Sequence, residues 1–215
     1  VLVEEDFQPL QKTNAKVGID LGIKDFAITS DGEVIPNPHY LKQLEKKLAK
    51  AQRNMSKREN GSKGREYWRI RVAKLHEKIA NCRLDMQHKV AMQLVENYDY
   101  IFVEDLNVEG MKQNHNLAKA ISDVAWSQFI TLLTYKCEWY GKEIHKVGRF
   151  FASSQTCSEC GHKNKDVRDL SIREWQCPSC GKVHNRDDNA AQNILTEGWR
   201  TLSAQGLSSM PEEGP

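Results

Sequence analysis

Two cysteine pairs, Cys157-Ser-Glu-Cys160 and Cys177-Pro-Ser-Cys180, each followed by glycine, stand sixteen residues apart in a chain of 215. Four thiolates at this spacing suit a tetrahedral zinc ion, and the glycine after each pair permits the left-handed turn that bends a loop around it. Four sulfurs leave no open coordination position. A single Zn²⁺ held this way is therefore structural, and it folds a segment too short to bury its own core. Two disulfides and an iron–sulfur cluster are the alternatives; the short spacing and a reducing, intracellular reading favour zinc. His162 and His184 lie close by, but with four cysteines completing the shell they are expected at the surface, as nucleic-acid contacts or without a role. Cys82 and Cys137 sit alone on helical apolar faces.

Three acids form the second group with chemical potential. Asp20 lies within Gly18-Ile-Asp-Leu-Gly22, Glu104 ends the apolar run Tyr98–Val103, and Asp187 opens a short helix directly after the cysteine segment. A carboxylate inside or at the end of a buried strand is costly unless it is hydrogen-bonded or holds a cation. Three of them on neighbouring elements would offer hard oxygen donors of the kind Mg²⁺ or Mn²⁺ prefers. Two such ions about 3.5–4 Å apart clamp the attacking and leaving oxygens of an in-line phosphoryl displacement. Each acid also has a plainer reading: Asp20 as a turn cap, Glu104 as a lysine partner, Asp187 as a helix cap. Asp105 and Asp188 are the rivals for the second and third positions.

The elements that must position these residues follow from hydrophobic period. Val17, Ile19, Leu21 and Ile23 alternate with Gly18, Asp20 and Gly22, so the run reads as a strand whose two glycines keep the approach to its carboxylate clear. Strands at Phe26–Thr29 and Glu33–Ile35 join through Asp31-Gly32, a tight-hairpin signal, and Pro36 and Pro38 end the segment. Leucines and other apolar residues then recur at helical spacing from Leu41 to Met55 and from Val72 to Leu94, around the polar turn 56–64, which predicts an antiparallel helical hairpin. Tyr98–Leu106 reads as a buried strand. The helix carrying Trp126, Phe129, Leu133, Cys137 and Tyr140 is expected to be capped by Ser122 or Asp123. Residues 143–150 form a strand candidate, and Asp187–Leu195 a short helix. The last fifteen residues lack periodicity and read as a disordered tail.

Charge is unevenly spread. Residues 41–90 carry 15 basic and 5 acidic side chains, whereas residues 1–40 and 91–140 each carry 3 and 7, within a chain of net charge +2. Such a basic element beside an acidic one suits a polyanion, the plainer reading being a solvated helical face. No run of 18 apolar residues exists to span a membrane, and the acidic opening VLVEEDFQPL lacks a secretory basic region.

With Gly18-Ile-Asp-Leu-Gly22, Val103-Glu-Asp-Leu106, the two cysteine knuckles and Arg186-Asp-Asp-Asn-Ala-Ala-Gln-Asn-Ile-Leu195 in order, the chain resembles the TnpB family from about residue 15 to residue 196. These are transposon-encoded, RNA-guided nucleases related to type V CRISPR effectors. The resemblance implies an α/β fold of ribonuclease H-like (RuvC-like) type, a mixed sheet with an inserted helical hairpin and an inserted four-cysteine zinc ribbon. It implies a nuclease core over 15–151 with the hairpin at 41–97, a ribbon over 152–184, a last nuclease helix over 185–197 and a tail over 198–215. Residues 1–14 would end an upstream domain, with Val1–Gln11 as its last strand. Asp20, Glu104 and Asp187 become the catalytic acids holding two Mg²⁺ or Mn²⁺ ions, with Asn185 where the family often has another acid. DNA and a guide RNA become the partners, in a cytoplasmic, nucleoid-associated setting without membrane. Lys46, Lys47, Lys50, Arg53, Lys57, Arg58, Arg65, Arg69 and Arg71 would track phosphates, and Arg149 and Arg186 would offset developing charge. A non-cleaving binding module, such as a guided repressor or the DNA-binding part of a transposase, is the other reading.

Overall fold

In the computed structural model, which describes residues 6–149, 151–169 and 171–206, the chain builds one five-stranded sheet. Its strands are β1 (Lys16–Leu21), β2 (Asp25–Thr29), β3 (Val34–Pro36), β4 (Tyr100–Glu104) and β5 (Glu143–Val147), in the order β3-β2-β1-β4-β5. β1 to β3 pair antiparallel, while β1, β4 and β5 run parallel, so the sheet is mixed. Asp31-Gly32 makes the expected tight connection, with Gly32 at φ +88°.

The helical hairpin is present as α1 (Tyr40–Ser56) and α2 (Lys63–Asn97). Ser62 caps α2, its hydroxyl accepting from the Arg65 amide at 3.2 Å. At 35 residues α2 is about 52 Å long, and only its second half enters the core. Two short helices that periodicity did not reveal follow β4: α3 (Val108–Lys112) and α4 (His115–Val124). They correct the expected cap of the next helix, α5 (Trp126–Tyr140). Ser122 and Asp123 belong to α4, and α5 starts from Ala125 in a left-handed conformation, φ 54°. Asp123 instead ties the hairpin down, accepting from the Leu41 amide at 3.3 Å and pairing with Arg83 at 3.6 Å.

Strand parity divides the core. Val17, Ile19, Leu21, Ile101 and Val103 face α2, α4 and α5, where Ala91, Leu94, Ile121, Phe129 and Leu133 bury against them. Phe26 and Phe129 meet edge to face at 4.9 Å. The other face carries Tyr100 and Phe102 and packs on the last helix, α6 (Arg186–Ala204), through Ile194 and Leu202. α6 comes very close to β1: a Cβ on Gly18 would lie 2.3 Å from the Ala191 carbonyl oxygen and 2.5 Å from the Leu195 nitrogen. Gly18 therefore makes room for a helix backbone, a different reason from the open approach to Asp20 expected of it.

α6 also runs past the expected end at residue 197, because Gly198 and Leu202 are still buried against the sheet. The expected disordered tail is thus helical to Ala204, and residues 207–215 lie outside the described residues. Of the expected strand at Val1–Gln11, residues 1–5 lie outside the described residues. Residues 6–11 form no strand; Phe7 stacks on Trp139 at 4.2 Å and the Leu10 amide donates to the Tyr140 carbonyl.

A buried ion pair fixes this segment to the sheet. Lys142 Nζ lies 2.5 Å from Asp99 Oδ1, both side chains essentially without solvent exposure, and also donates to the Gln11 carbonyl at 2.9 Å. Burial alone would raise the Asp99 pKa, but Lys142 and the amides of Asn14 and Thr13 outweigh it and hold the carboxyl below its usual range. That stabilisation is present above the ordinary carboxylate pKa and is lost as pH falls through the depressed folded value. Lys142→Ala leaves a buried charge unpaired and should cost about 3–5 kcal/mol in urea unfolding at pH 7. A loss under about 1 kcal/mol would mean that Asp99 reaches water instead.

Candidate catalytic and metal centres

The same parity that buries Ile19 and Val103 on one face puts Asp20 and Glu104 together on the other. β1 and β4 are parallel with Ile19 opposite Val103, so Asp20 and Glu104 are the next pair along the two strands. α6 packs on this face and brings its first turn, with Asp187, to the same end. Asn185 caps the helix, its Oδ1 accepting from the Asp187 and Asp188 amides at 3.0 and 3.3 Å. An acid at this position could cap equally well, so its replacement by Asn leaves the helix start intact.

The electrostatics register the convergence. Burial, then the charges of Glu104 and Asp187, push the Asp20 pKa up to about 8, against weaker opposition from Arg186 and Arg173. Burial also raises the Glu104 pKa, and its Oε1 accepts a hydrogen bond from the Ser153 hydroxyl that partly counters the rise. Asp187 is paired with Arg173, whose Nη1 lies 3.2 and 3.4 Å from its two carboxylate oxygens. The rivals face elsewhere. Asp105 is bound by Arg149 at 2.7 Å and lies 4.0 Å from Lys146, and Asp188 is exposed.

The four predicted cysteines come together, their sulfurs all within 4.8 Å of one another. Cys157 and Cys180 are 3.7 Å apart, and Cys160 and Cys177 3.6 Å. Thiolates about 2.3 Å from a tetrahedral zinc stand about 3.8 Å from each other, so the donor set fits that ion. Gly161 and Gly181 take φ +74° and +75°, and each donates its amide to the first cysteine of its pair at 2.9 Å. Burial raises the Cys177 thiol, but the Cys180 and Ser179 amides outweigh it and hold it below its usual range, while the Cys157 and Cys180 thiols in the same cluster are shifted upward. Two short strands, β6 (Glu174–Gln176) and β7 (Val183–Asn185), flank the second knuckle and pair antiparallel, β7 leading directly into α6. Among the described residues, the segment's own core is Cys157, Val167, Trp175 and Cys177, with Ile172 against them. Among the described residues no other group of His, Cys, Asp or Glu gathers three donors this tightly. The three acids are thus near enough to perturb one another without closing on a common point.

His184 corrects the sequence reading. It is buried, its Nε2 lies 3.0 Å from Cys157 Sγ, and its ring packs on Trp175 at 4.9 Å; His162 is exposed as expected. Several further positioning residues gave no signal by type alone. Ser153 and Arg173, which contact the acids, both come from the cysteine segment's flank and interior. Asn189 and Asn193 hold that flank against α6: the Asn193 amide donates to the Ser153 and Thr156 carbonyls at 2.7 and 2.6 Å, and Asn189 donates to Thr156 at 2.7 Å. Two asparagines four residues apart on the apolar side of a helix were the available clue.

The expected phosphate contacts sort into two groups. Lys46, Lys47, Lys50, Arg53, Lys57, Arg58 and Arg71 are exposed along the hairpin. Arg65 closes the turn between α1 and α2 through the Met55 and Arg58 carbonyls at 3.2 Å, and Arg69 is bound by both oxygens of Glu66 at 2.7 Å. Arg149 is half-exposed on Asp105, whereas Arg186 is buried and donates to the Asp169 carbonyl at 2.9 Å. Arg186 therefore acts on the acids through its field from inside the protein. No helix among the described residues is long and apolar enough to cross a membrane.

The chain is similar to several known proteins. The sequence profile of the OrfB_IS605 family, described as "Probable transposase", matches residues 1–115, and that of the "Cas12f1-like, TNB domain" matches 126–194. A "Putative RNA-guided DNA endonuclease" of Streptomyces pristinaespiralis is 42% identical over 212 residues, covering 99% of this chain and 52% of that protein. "Putative RNA-guided DNA endonuclease InsQ" of Escherichia coli K12 is 32% identical over 210 residues, 91% of this chain and 52% of that one. TnpB-like protein L79 of Acanthamoeba polyphaga mimivirus is 30% identical over 207 residues, 89% and 39%. The chain thus spans about half the length of the curated relatives it matches. In fold it resembles a Cas12f1 chain solved with sgRNA and target DNA, at TM-score 0.60 and 23% identity over 83% of this chain and 49% of that one. A family profile matching more than half of the chain, relatives aligned along nearly all of it and a shared mixed α/β fold make this chain a member of the TnpB family.

Proposed function

We propose that the chain is the strand-cutting part of an RNA-guided, transposon-associated DNA endonuclease, with a ribonuclease H-like core, a structural zinc ribbon and a two-metal hydrolytic centre. One observation carries this reading: three carboxylates from distant parts of the chain come within reach of one another's charge at one end of the sheet, where burial first and then Glu104 and Asp187 raise Asp20 to about 8. Desolvated like charges of this kind are a cost to the fold unless a cation shares them.

Asp20, Glu104 and Asp187 would hold two Mg²⁺ or Mn²⁺ ions, whose chemistry is to lower the pKa of a water and to stabilise the leaving 3′ oxygen. The remaining work belongs to the chain. Ser153 fixes the rotamer of Glu104 through its hydrogen bond, and Asn185 sets the start of the helix that aims Asp187. Arg173 occupies Asp187 through an exposed pair and must yield part of it when a cation binds. Arg186, held inside, damps the mutual repulsion of the acids. The exposed lysines and arginines of the hairpin track phosphates, so binding should weaken steeply with salt. DNA is the proposed substrate and a guide RNA the proposed partner, by analogy with the named relatives.

The non-cleaving reading draws on the Arg173–Asp187 pair and on carboxylates that do not close on one point. The two readings separate with zinc-loaded chain, a 5′-labelled single-stranded DNA and added Mn²⁺. The nuclease reading expects scission that needs the Mn²⁺ and leaves 5′-phosphate and 3′-hydroxyl ends. Tight binding with an intact strand at every Mn²⁺ concentration contradicts it.

A further inference from the structure

We infer that the α1–α2 hairpin carries a stacking site for an unpaired RNA base, separate from the cutting centre. Between the helices lies a groove of about 690 Å³ whose lining includes Lys47 and Lys50 from α1 and Tyr67, Trp68, Arg71 and Lys74 from α2, with no acidic residue. Tyr67 is 51% exposed and Ile70 beside it 42%, whereas a purely solvated basic face has no use for either. The two rings meet edge to face with centroids 5.4 Å apart. The Arg71 guanidinium lies 4.9 Å from the Tyr67 centroid and 5.8 Å from that of Trp68.

Rings flanked by a guanidinium and three lysines are the combination that holds single-stranded nucleic acid: the π faces take bases of any sequence and the cations take the flanking phosphates. Two lysines from one helix and two cations from the other put positive charge on both walls, which suits a strand threading between them. An isolated aromatic on a solvated helix would explain one ring but neither the paired rings nor a lining free of acids.

The occupant is distinguished by position. Tyr67 precedes Ala91, where α2 is fully buried in the core, by 24 residues, about 36 Å of helix. The groove therefore lies on the part of α2 that projects from the core, away from the sheet that carries Asp20 and Glu104. The inference rests on the RNA-guided reading for its choice of RNA, whose recognition characteristically uses splayed bases stacked on aromatic and guanidinium planes.

The test measures binding of the full zinc-loaded chain to a fluorescent twelve-nucleotide oligo-U, the matching oligo-dT and an RNA duplex. No Mg²⁺ or Mn²⁺ is added, so the result is independent of whether the acids cut DNA. Tyr67→Ala with Trp68→Ala should weaken oligo-U binding about tenfold or more while leaving its salt dependence unchanged, because stacking releases no counterions. Tyr67→Phe should bind as the parent does. Lys47→Ala with Lys50→Ala should instead flatten the dependence of log K on log salt by about 1.4. Far-UV circular dichroism checks that the hairpin stays helical, and Tyr67→Leu, which keeps the apolar surface, should still lose affinity. Unchanged oligo-U affinity in the double aromatic variant overturns the inference, as does a loss seen with oligo-dT or duplex and not with oligo-U.

Discussion

Asp20→Asn stops strand scission, by about a thousandfold or more, and at the same time raises the melting temperature of the metal-free protein. The first effect follows from removing a charged oxygen donor at the centre of a proposed two-cation site, a loss of about 4 kcal/mol or more of transition-state stabilisation. The second follows from the sign of the pKa shift. An acid whose folded pKa is raised binds its proton more tightly in the folded state, so stability falls as pH climbs from about 3.8 to about 8 and stays lower above that. At neutral pH folding therefore has to protonate Asp20, at a cost to stability, and an isosteric amide avoids that cost. A carboxylate that serves the fold behaves in the opposite way, as Asp99 does with its lysine. Thermal unfolding of both proteins at pH 7 without divalent metal, beside a cleavage assay, checks the pair of effects. A variant that melts lower than the parent, or that still cuts, contradicts the assignment.

Loss of the proposed zinc site should be as severe for the proposed activity and far more local in structure. Among the described residues the segment's apolar core is small, Cys157, Val167, Trp175 and Cys177 with Ile172, whereas apparent binding free energies of structural zinc in small domains reach about 10–16 kcal/mol. Cys180→Ser removes an exposed ligand and leaves the rest of the lining in place, so the expected result is a segment that no longer binds zinc stoichiometrically and exchanges its amide hydrogens freely. β1 to β5 and the helices α2 and α5 should keep their protection, since their core shares no residue with the cysteine segment. Cleavage should nevertheless disappear. Ser153 on Glu104 and Arg173 on Asp187 both depend on that segment, and Asn189 and Asn193 lose the carbonyls they hold. Zinc content by atomic absorption, amide exchange and cleavage on the same preparation check this. Retained protection over 153–185 in the serine variant would mean that the knuckles fold without metal.

Much of this was legible in the chain. Strict alternation in Val17–Leu21 fixed which side chains face the core, and with it the face that Asp20 shares with Glu104. Cysteine spacing announced the four-sulfur cluster because loop geometry around an ion leaves few alternatives. What stayed hidden depended on tertiary contacts between residues of ordinary type. α3 and α4 are too short for a periodic signal, and their caps, Asn107 and Asn114, read as loop residues. Gly18 looked like clearance for its neighbour's carboxylate, and only the packing of α6 reveals that a backbone lies against it. His184 was discounted because four cysteines would already fill a shell, yet burial against Trp175 brings its ring to the Cys157 sulfur. Arg65 and Arg69 counted as phosphate contacts by charge, which carries no information about the carbonyls and the carboxylate that already engage them.

The central claim is that Asp20, Glu104 and Asp187 act as one unit on a phosphodiester. Groups that act as a unit are non-additive: removing one costs about as much as removing all. The most direct measurement is Mn²⁺-dependent cleavage of one labelled strand by the three single alanine variants and by the triple variant, all zinc-loaded. The account predicts a similar loss, about a thousandfold or more, in each single variant and no further loss in the triple. Three modest losses that multiply in the triple variant, or one single variant that cuts like the parent, would contradict it.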